Sequence, residues 1–176
     1  MYRNVFAGAC GQTYGCHDIW QMYEAGYAPG SGARTGWKEA MHLPGSRQMS
    51  FVKNLFLSLP WQQMENDQTL ILNDNPEDQS YMVSSIGPDK DFILFYTPWG
   101  KPVQPDLSRL HAERASAYWY NPRSGRSSFI GTYETSSKPV FTPWATGRGS
   151  DFVLIVLDEN SQFLLPWLTN PPEKSP

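Results

Sequence analysis

Cysteine is nearly absent from this sequence of 176 residues, which contains only Cys10 and Cys16. Two cysteines cannot supply a disulfide framework, so the fold must be stabilised by a hydrophobic core. A bridge between them would close a very short loop, and two free thiols are the alternative. The sequence also lacks Cys-x-x-Cys and the His/Cys spacing typical of zinc sites, so we expect neither a metal nor a cofactor.

An excess of positive charge and a long apolar run are lacking as well. The 14 lysines and arginines face 17 aspartates and glutamates, and the net charge of -3 argues against a nucleic-acid partner. The longest clean apolar run, residues 152–157, is far too short to span a membrane. The first residues lack the apolar core of a signal peptide, so the chain itself does not reveal its compartment.

Aromatic residues are abundant, at 14% of the sequence with seven tryptophans. Such rings either fill the core of a β protein or form the apolar platforms on which carbohydrate-binding proteins stack sugars. The 15 prolines and 14 glycines are spread along the chain and indicate many turns. This composition favours a mainly β fold.

Residues 47–59 carry the strongest helical pattern of the sequence. Apolar side chains recur there every three or four residues and fall on one helical face: Met49, Val52, Phe56 and Leu59. Ser46 is a candidate N-cap, and Pro60 forbids continuation of the helix. Because the first 60 residues offer this helix no comparable packing partner, we expect a missing segment upstream of the chain.

From residue 61 onward, short apolar segments alternate with turns. The expected strands are 69–72, 81–85, 91–96, 115–120, 129–133, 140–141 and 152–157. The segments 86–90 and 121–125 combine Gly, Pro, Asn and Asp in the manner of turns. This spacing predicts an antiparallel sandwich or barrel over about residues 67–158, with no helix longer than two turns.

Two groups of motifs resemble one known family. Residues 7–15 read Ala-Gly-Ala-Cys-Gly-Gln-Thr-Tyr-Gly and are followed by His-Asp-Ile-Trp-Gln-Met at 17–22. They resemble the closing part of the TIM-barrel catalytic domain of apiosidase-like glycoside hydrolases. Residues 117–125, Ala-Tyr-Trp-Tyr-Asn-Pro-Arg-Ser-Gly, and 151–158, Asp-Phe-Val-Leu-Ile-Val-Leu-Asp, resemble the collagen-binding-type β-sandwich that follows this barrel.

Three positions depart from the family's usual pattern. Gln12 stands where the family has His, Asn121 where it has Asp, and Phe152 where it has Trp. The first difference could alter substrate contacts, whereas the other two are compatible with structural roles.

The resemblance implies a mainly β chain with a helical N-terminal part. Residues 1–62 are then the C-terminal remnant of a (β/α)8 barrel, and residues 63–168 form the antiparallel β-sandwich. We expect residues 169–176 to be a disordered tail, since they are rich in proline and lie at the terminus.

The resemblance also implies that the full-length protein hydrolyses glycosidic bonds in plant or microbial polysaccharide. Such hydrolysis requires two carboxyl groups, and in the family both lie on earlier strands of the barrel. We therefore expect an upstream barrel segment to be missing and the chain alone to be inactive. The alternative is a non-catalytic module that binds carbohydrate or protein. For the full-length protein we expect a secreted or periplasmic location.

Four residues are candidates for contact with a polysaccharide or oligosaccharide: Gln12, Tyr14, His17 and Trp20. The resemblance places them at the active-site end of a late barrel strand and in the following loop. Tyr14 and Trp20 could stack on a sugar, while Gln12 and His17 could hydrogen-bond its hydroxyls. The alternative is that the rings pack the barrel rim and His17 is an ordinary loop residue.

Two charged residues could be interpreted as functional groups, but a structural role explains each of them more simply. Asp18 adjoins His17, yet a helix N-cap before residues 19–22 is the better interpretation. Arg123 lies in a turn, where we expect it to pair or hydrogen-bond within the hairpin.

Overall fold

The computed structural model describes residues 1–166 and 168–169. Four α-helices come first: α1 (Tyr2–Phe6), α2 (His17–Trp20), α3 (Trp37–Ala40) and α4 (Pro44–Leu57). Seven strands follow: β1 (Glu65–Asn66), β2 (Val83–Ile86), β3 (Phe92–Thr97), β4 (Arg114–Asn121), β5 (Arg126–Glu134), β6 (Phe152–Asp158) and β7 (Leu168–Thr169). Three single-turn 3-10 helices span Trp61–Gln63, Gln68–Leu70 and Leu107–Arg109.

The strands form one sheet in the order β1-β2-β3-β6-β4-β5-β7. The first six pair antiparallel, and β7 lies parallel to β5. Thr97 is opposite Phe152, and Tyr120 is opposite Val153. The loops that follow β3 and β4 and the loop that precedes β6 therefore meet at the same end of the sheet. We call this the Phe152 end.

Both faces of the sheet are buried, which explains the continuous apolar sequence of β6. Val153, Ile155 and Leu157 point into a core shared with α1 and α4, while Phe152, Leu154 and Val156 point into a second core on the opposite face. Period-two alternation is invisible in such a strand because neither face needs polar side chains.

The predicted helix 47–59 is confirmed in position but is shifted at both ends. It starts at Pro44, a residue suited to the first helical turn, with Leu43 at the N-cap, and it ends at Leu57. Ser46 is not the cap, because its hydroxyl donates to the carbonyls of Met41 and Leu43.

The apolar face of α4 packs on the sheet. Val52, Phe56 and Leu59 are buried in the core that contains β3, β4 and β6, together with Leu55. Met49 is only partly buried. The sheet thus supplies the packing partner that the first 60 residues lack on their own.

The predicted strands 81–85, 91–96, 115–120, 129–133 and 152–157 correspond to β2, β3, β4, β5 and β6. Two predictions were wrong. In the segment 69–72, Asp67 caps a 3-10 turn by accepting a hydrogen bond from the amide of Thr69, so a turn replaces the strand. In the segment 140–141, only Phe141 makes an isolated bridge, to Val103.

The mainly β architecture is confirmed. No helix between residues 67 and 158 exceeds one 3-10 turn. The layer facing the second core is formed by irregular segments with two isolated bridges, Ile71 to Pro105 and Val103 to Phe141. Within the described part of the chain, no helix is long and apolar enough to cross a membrane.

The expected disordered tail falls almost wholly outside the described residues. Thr169 belongs to β7, where it is opposite Ser128 of β5. Residues 170–176 lie outside the part that the structure describes.

Candidate functional site

A cleft of about 200 Å³ opens between the helical segment and the Phe152 end of the sheet. Tyr14 lines it from one side, and Arg123 and Asp151 line it from the other. The ring of Tyr14 lies directly on Gly45 of α4, where an added Cβ would come within 2.7 Å of the tyrosine hydroxyl. A larger residue at position 45 would displace the tyrosine ring, so the start of α4 contributes to the position of Tyr14 over the cleft.

The sheet side of the cleft is fixed by an ion pair. Arg123 Nη1 lies 2.7 Å from Asp151 Oδ1 and also donates to the backbone carbonyls of Gly149 and Asp151. The guanidinium carbon is 4.8 Å from the ring centre of Phe152. Arg123 therefore has a structural role as predicted, but its partner is the start of β6 and not its own hairpin.

Asp151 is further held by Tyr96, whose hydroxyl donates to Oδ2 at 3.3 Å. Burial, followed by the nearby carboxylate of Asp151, raises the pKa of Tyr96. The phenol therefore stays protonated and serves as a donor. Both carboxylate oxygens of Asp151 are thus engaged by neighbouring side chains, and Asp151 forms part of the wall of the cleft.

Gln12 lines a second, more apolar cavity of about 360 Å³, with Phe56 and Trp61 on its floor. The two cavities are neighbours, since both are lined by Met1, Met49 and Val52. Gln12 is exposed, and its Oε1 accepts a hydrogen bond from Asn4 at 3.0 Å. Its amide nitrogen is a hydrogen-bond donor of the kind that binds sugar hydroxyls.

His17 and Trp20 lie on α2 and line neither of these two cavities. Both side chains are exposed, Trp20 by 83%, and their ring centres are 6.1 Å apart in an edge arrangement. The structure therefore groups the four candidate residues as two pairs. Gln12 and Tyr14 lie at adjoining cavities, and His17 and Trp20 form an exposed aromatic pair.

Asp18 is not the N-cap of α2, because Cys16 occupies that position. Its Oδ1 instead accepts hydrogen bonds from the backbone amides of Arg34 and Thr35, at 2.6 and 2.8 Å. These two amides, with that of Thr35 contributing most, lower the pKa of Asp18. Asp18 thus ties α2 to the 34–35 loop and remains ionised, which is unsuitable for a general acid.

The contact of Asp18 predicts a specific pH dependence. Because the folded-state pKa is lowered, the contact is complete above the ordinary Asp value of about 4 and is lost as the pH falls through the lower folded-state pKa. We expect the amide proton resonances of Arg34 and Thr35 to titrate together below that ordinary value. Proton NMR over the acidic range measures this, and Asp18→Asn should remove both titrations. Amides that titrate at the ordinary value would show that the contact is absent.

Other carboxylates near the candidate residues show no paired arrangement. Glu24 accepts a hydrogen bond from the indole nitrogen of Trp37 at 3.1 Å, and Glu39 is exposed on α3. Burial raises the pKa of Asp91, but this residue precedes β3 at the end of the sheet opposite the cleft. Among the described residues, no group of three or more His, Cys, Asp or Glu side chains could hold a metal ion.

Two family departures are explained by local contacts. Asn121 Oδ1 accepts a hydrogen bond from the amide of Arg123 at 3.0 Å, an Asx turn that an aspartate could form equally well. Phe152 is fully buried between Trp119 and Trp144. Cys10 and Cys16 are both free thiols.

The sequence interpretation missed two residues at the Phe152 end. Asp151 was not recognised as the partner of Arg123, because 28 residues separate them and neither position has a local signal. Trp144 was also missed, although it is 59% exposed beside this end of the sheet. A lone tryptophan in a loop does not reveal whether it is exposed or buried.

Comparison with known proteins matches both parts of the chain. A family model described as "Apiosidase-like, catalytic domain" matches residues 1–63, and one described as "Putative collagen-binding domain of a collagenase" matches residues 66–157. A search of curated proteins gave no match.

Two solved structures are similar over 93% of this chain. One is titled "Glycoside hydrolase", with 30% identity and a TM-score of 0.86. The other is a glycoside hydrolase family 5 from Bacteroides vulgatus ATCC 8482, with 33% identity and a TM-score of 0.86. The match covers 36% and 35% of those chains, so this chain spans about a third of their length.

The model for the collagen-binding domain alone covers more than half of the chain, and the model for the apiosidase-like domain covers the residues before it. The order of the two matches is the order that the sequence motifs indicated. The chain therefore belongs to the family that carries this putative collagen-binding domain, and its residues 1–63 are similar to the apiosidase-like catalytic domain.

Proposed function

We propose that this chain is the C-terminal part of a glycoside hydrolase that acts on plant or microbial polysaccharide. The observation that carries the proposal is the joint match of residues 1–63 and 66–157 to the two family models, in the order of the motifs. The similarity to two glycoside hydrolases over 93% of the chain supports it.

In this proposal, residues 1–62 are the end of a (β/α)8 catalytic domain and residues 63–168 are its accessory sandwich. The helices α1 and α4 lie in the first part, and every strand of the sheet lies in the second. The two parts share one core, in which Phe6 and Phe56 pack beside Tyr120 and Ile155. The sandwich would thereby hold the last helices of the barrel in place.

We further propose that Gln12, Tyr14, His17 and Trp20 contact the polysaccharide substrate in the full-length protein. Tyr14 is 42% exposed at the cleft and Trp20 is 83% exposed on α2, so both rings are available for stacking. Gln12 and His17 are exposed polar groups of the same segment, suited to hydrogen-bonding sugar hydroxyls.

By itself, the chain would act as a binding module without chemistry. Asp18 is engaged by two backbone amides and Glu24 by an indole, and neither has a second carboxylate paired with it for glycoside hydrolysis. Binding to carbohydrate is favoured over binding to protein because exposed aromatic rings such as Tyr14 and Trp20 are suited to stacking on sugars.

The binding site is tested by replacing Tyr14. We expect Tyr14→Ala to weaken binding of apiose-containing pectin fragments by about tenfold, because roughly 1.4 kcal/mol of ring contact is lost. Isothermal titration calorimetry on the purified chain measures the affinity. Tyr27→Ala is the matched control, since Tyr27 is also exposed but lines neither cavity. If the Tyr14 variant and the unaltered chain bind the pectin fragments with equal affinity, Tyr14 does not contact the ligand.

A further inference from the structure

Two loops at the Phe152 end are joined backbone to backbone. The loop 98–101 follows β3, and the loop 144–150 precedes β6. The amide of Gly147 donates to the carbonyl of Trp99 at 2.9 Å, and the hydroxyl of Thr146 donates to the same oxygen at 3.1 Å. We call these two segments the paired loops.

Gly100 makes this close approach possible. Its φ of +60° is in the left-handed region, and an added Cβ would lie 2.2 Å from the carbonyl oxygen of Ala145 and 2.7 Å from that of Ser150. Any side chain at this position would force the loops apart. The close approach at Gly100 and the hydrogen bonds to Trp99 therefore fix the geometry of the paired loops.

The paired loops hold an exposed indole in a fixed position. Trp144 is 59% exposed, yet its ring packs edge-on against the fully buried ring of Phe152, with centroids 4.5 Å apart. Phe152 is itself fixed by Trp119 and by the guanidinium of Arg123. An exposed ring that is already immobilised loses little conformational entropy when a ligand stacks on it.

The charge of the paired loops is positive, in contrast to the net negative chain. The segments 98–101 and 144–150 contain Lys101 and Arg148 and no aspartate or glutamate; Asp151, the next residue, is paired with Arg123. Arg148 is exposed. Lys101 lies near the carboxylate of Asp78, whose pKa it helps to lower, so Arg148 is the cation of the paired loops that remains for a ligand. A ligand that fits here offers a flat apolar face to Trp144 and a negative charge to Arg148.

The exposed surface of Trp144 is small. A tryptophan contributes roughly 150–250 Å² when buried, so the exposed part amounts to on the order of 100–150 Å², about one sugar ring. A stable protein interface needs about 800 Å² per partner. The size of the platform thus favours a glycan over a folded protein or a collagen triple helix.

We infer that the paired loops form an accessory carbohydrate-binding site in which Trp144 stacks on a sugar ring and Arg148 binds a uronic-acid carboxylate. This inference rests on the proposed carbohydrate-directed function and adds a second site to it. The site adjoins the cleft of Tyr14, because Arg123 lines that cleft and also contacts Phe152 beneath Trp144. A glycan chain bound at the cleft could extend over the platform.

The test uses the indole NMR signal of Trp144, assigned by its loss in Trp144→Phe. The probes are an oligogalacturonate and its carboxyl-reduced, neutral counterpart, titrated into the Tyr14→Ala, Trp20→Ala double variant, which lacks both aromatic rings of the proposed substrate contacts. We expect the acidic probe to shift the Trp144 indole signal in a saturable manner. Trp144→Ala should lower the affinity at least about tenfold, since stacked apolar area is lost, and Trp144→Phe should restore part of it.

The role of the Arg148 charge is tested by comparing the acidic and the neutral probe. Arg148→Gln should weaken binding of the acidic probe several-fold and leave binding of the neutral probe unchanged, and added salt should act in the same direction. Lys38→Gln is the matched control, because Lys38 lies on α3 outside the paired loops. A correctly folded variant is recognised by unchanged amide signals of β3 and β6.

The outcomes separate this inference from the proposed function. An unmoved Trp144 signal, together with pectin binding that depends on Tyr14, would overturn the accessory site and leave the proposed function intact. A chain in which neither site responds to any glycan would contradict both. A Trp144 signal that responds to a proline-rich collagen-like peptide and not to sugar would replace the glycan by a protein ligand and also overturn the inference.

Discussion

Replacing Phe56 with alanine is expected to lower the free energy of unfolding by about 3–5 kcal/mol, the usual cost of truncating a buried phenylalanine. Phe56 is 5% exposed, and its ring lies 5.6 Å from Phe6 and 5.8 Å from Trp61, centroid to centroid. Through its ring, α4 contacts both α1 and the chain that leads into the sheet. Its loss leaves a cavity at the junction of the two parts.

Urea unfolding followed by circular dichroism measures this effect. Leu57→Ala is the matched control, because Leu57 is the next residue of the same helix but is 63% exposed. We expect the control to lose less than about 1 kcal/mol, as exposed positions do. Similar losses for the two variants would show that the face of α4 carrying Phe56 is not packed on the sheet.

The fold could be predicted from the sequence where local pattern and tertiary burial agree. Residues 47–59 show helical periodicity because one side of α4 faces the sheet. The run 152–157 indicated a strand through its length and its β-branched residues, although both of its faces are buried. The apolar segment 69–72 was wrongly predicted to be a strand, because the side chain of Asp67 stabilises a turn there.

The candidate site could be predicted only in part. Motif resemblance directed attention to Tyr14, which the structure places at the cleft. The opposite wall depends on Arg123 and Asp151, and the loop pairing depends on Gly100 and Trp99. Each of these contacts joins positions far apart in the sequence, so no spacing rule reveals them. The contact between Trp144 and Phe152 likewise has no signal in the sequence around either residue.

We expect the isolated chain to have no glycosidase activity. Hydrolysis of a glycosidic bond needs two carboxyl groups held roughly 5 to 9.5 Å apart, one of them protonated. The resemblance assigns those groups to no residue of this chain. Asp18 has a lowered pKa and is bound to the 34–35 loop, which is unsuitable for a general acid, and Glu24 accepts a hydrogen bond from Trp37.

The most direct test of the account is the release of reducing sugar from apiose-containing pectin fragments and a panel of aryl glycosides. The purified chain is compared with a full-length relative under the same conditions, and its binding to the fragments confirms that it is folded. The account predicts turnover by the full-length relative and none above the buffer rate by the chain. Turnover by the chain that disappears in Asp18→Asn, Glu24→Gln or Glu39→Gln would contradict it and would locate a complete catalytic site within these residues.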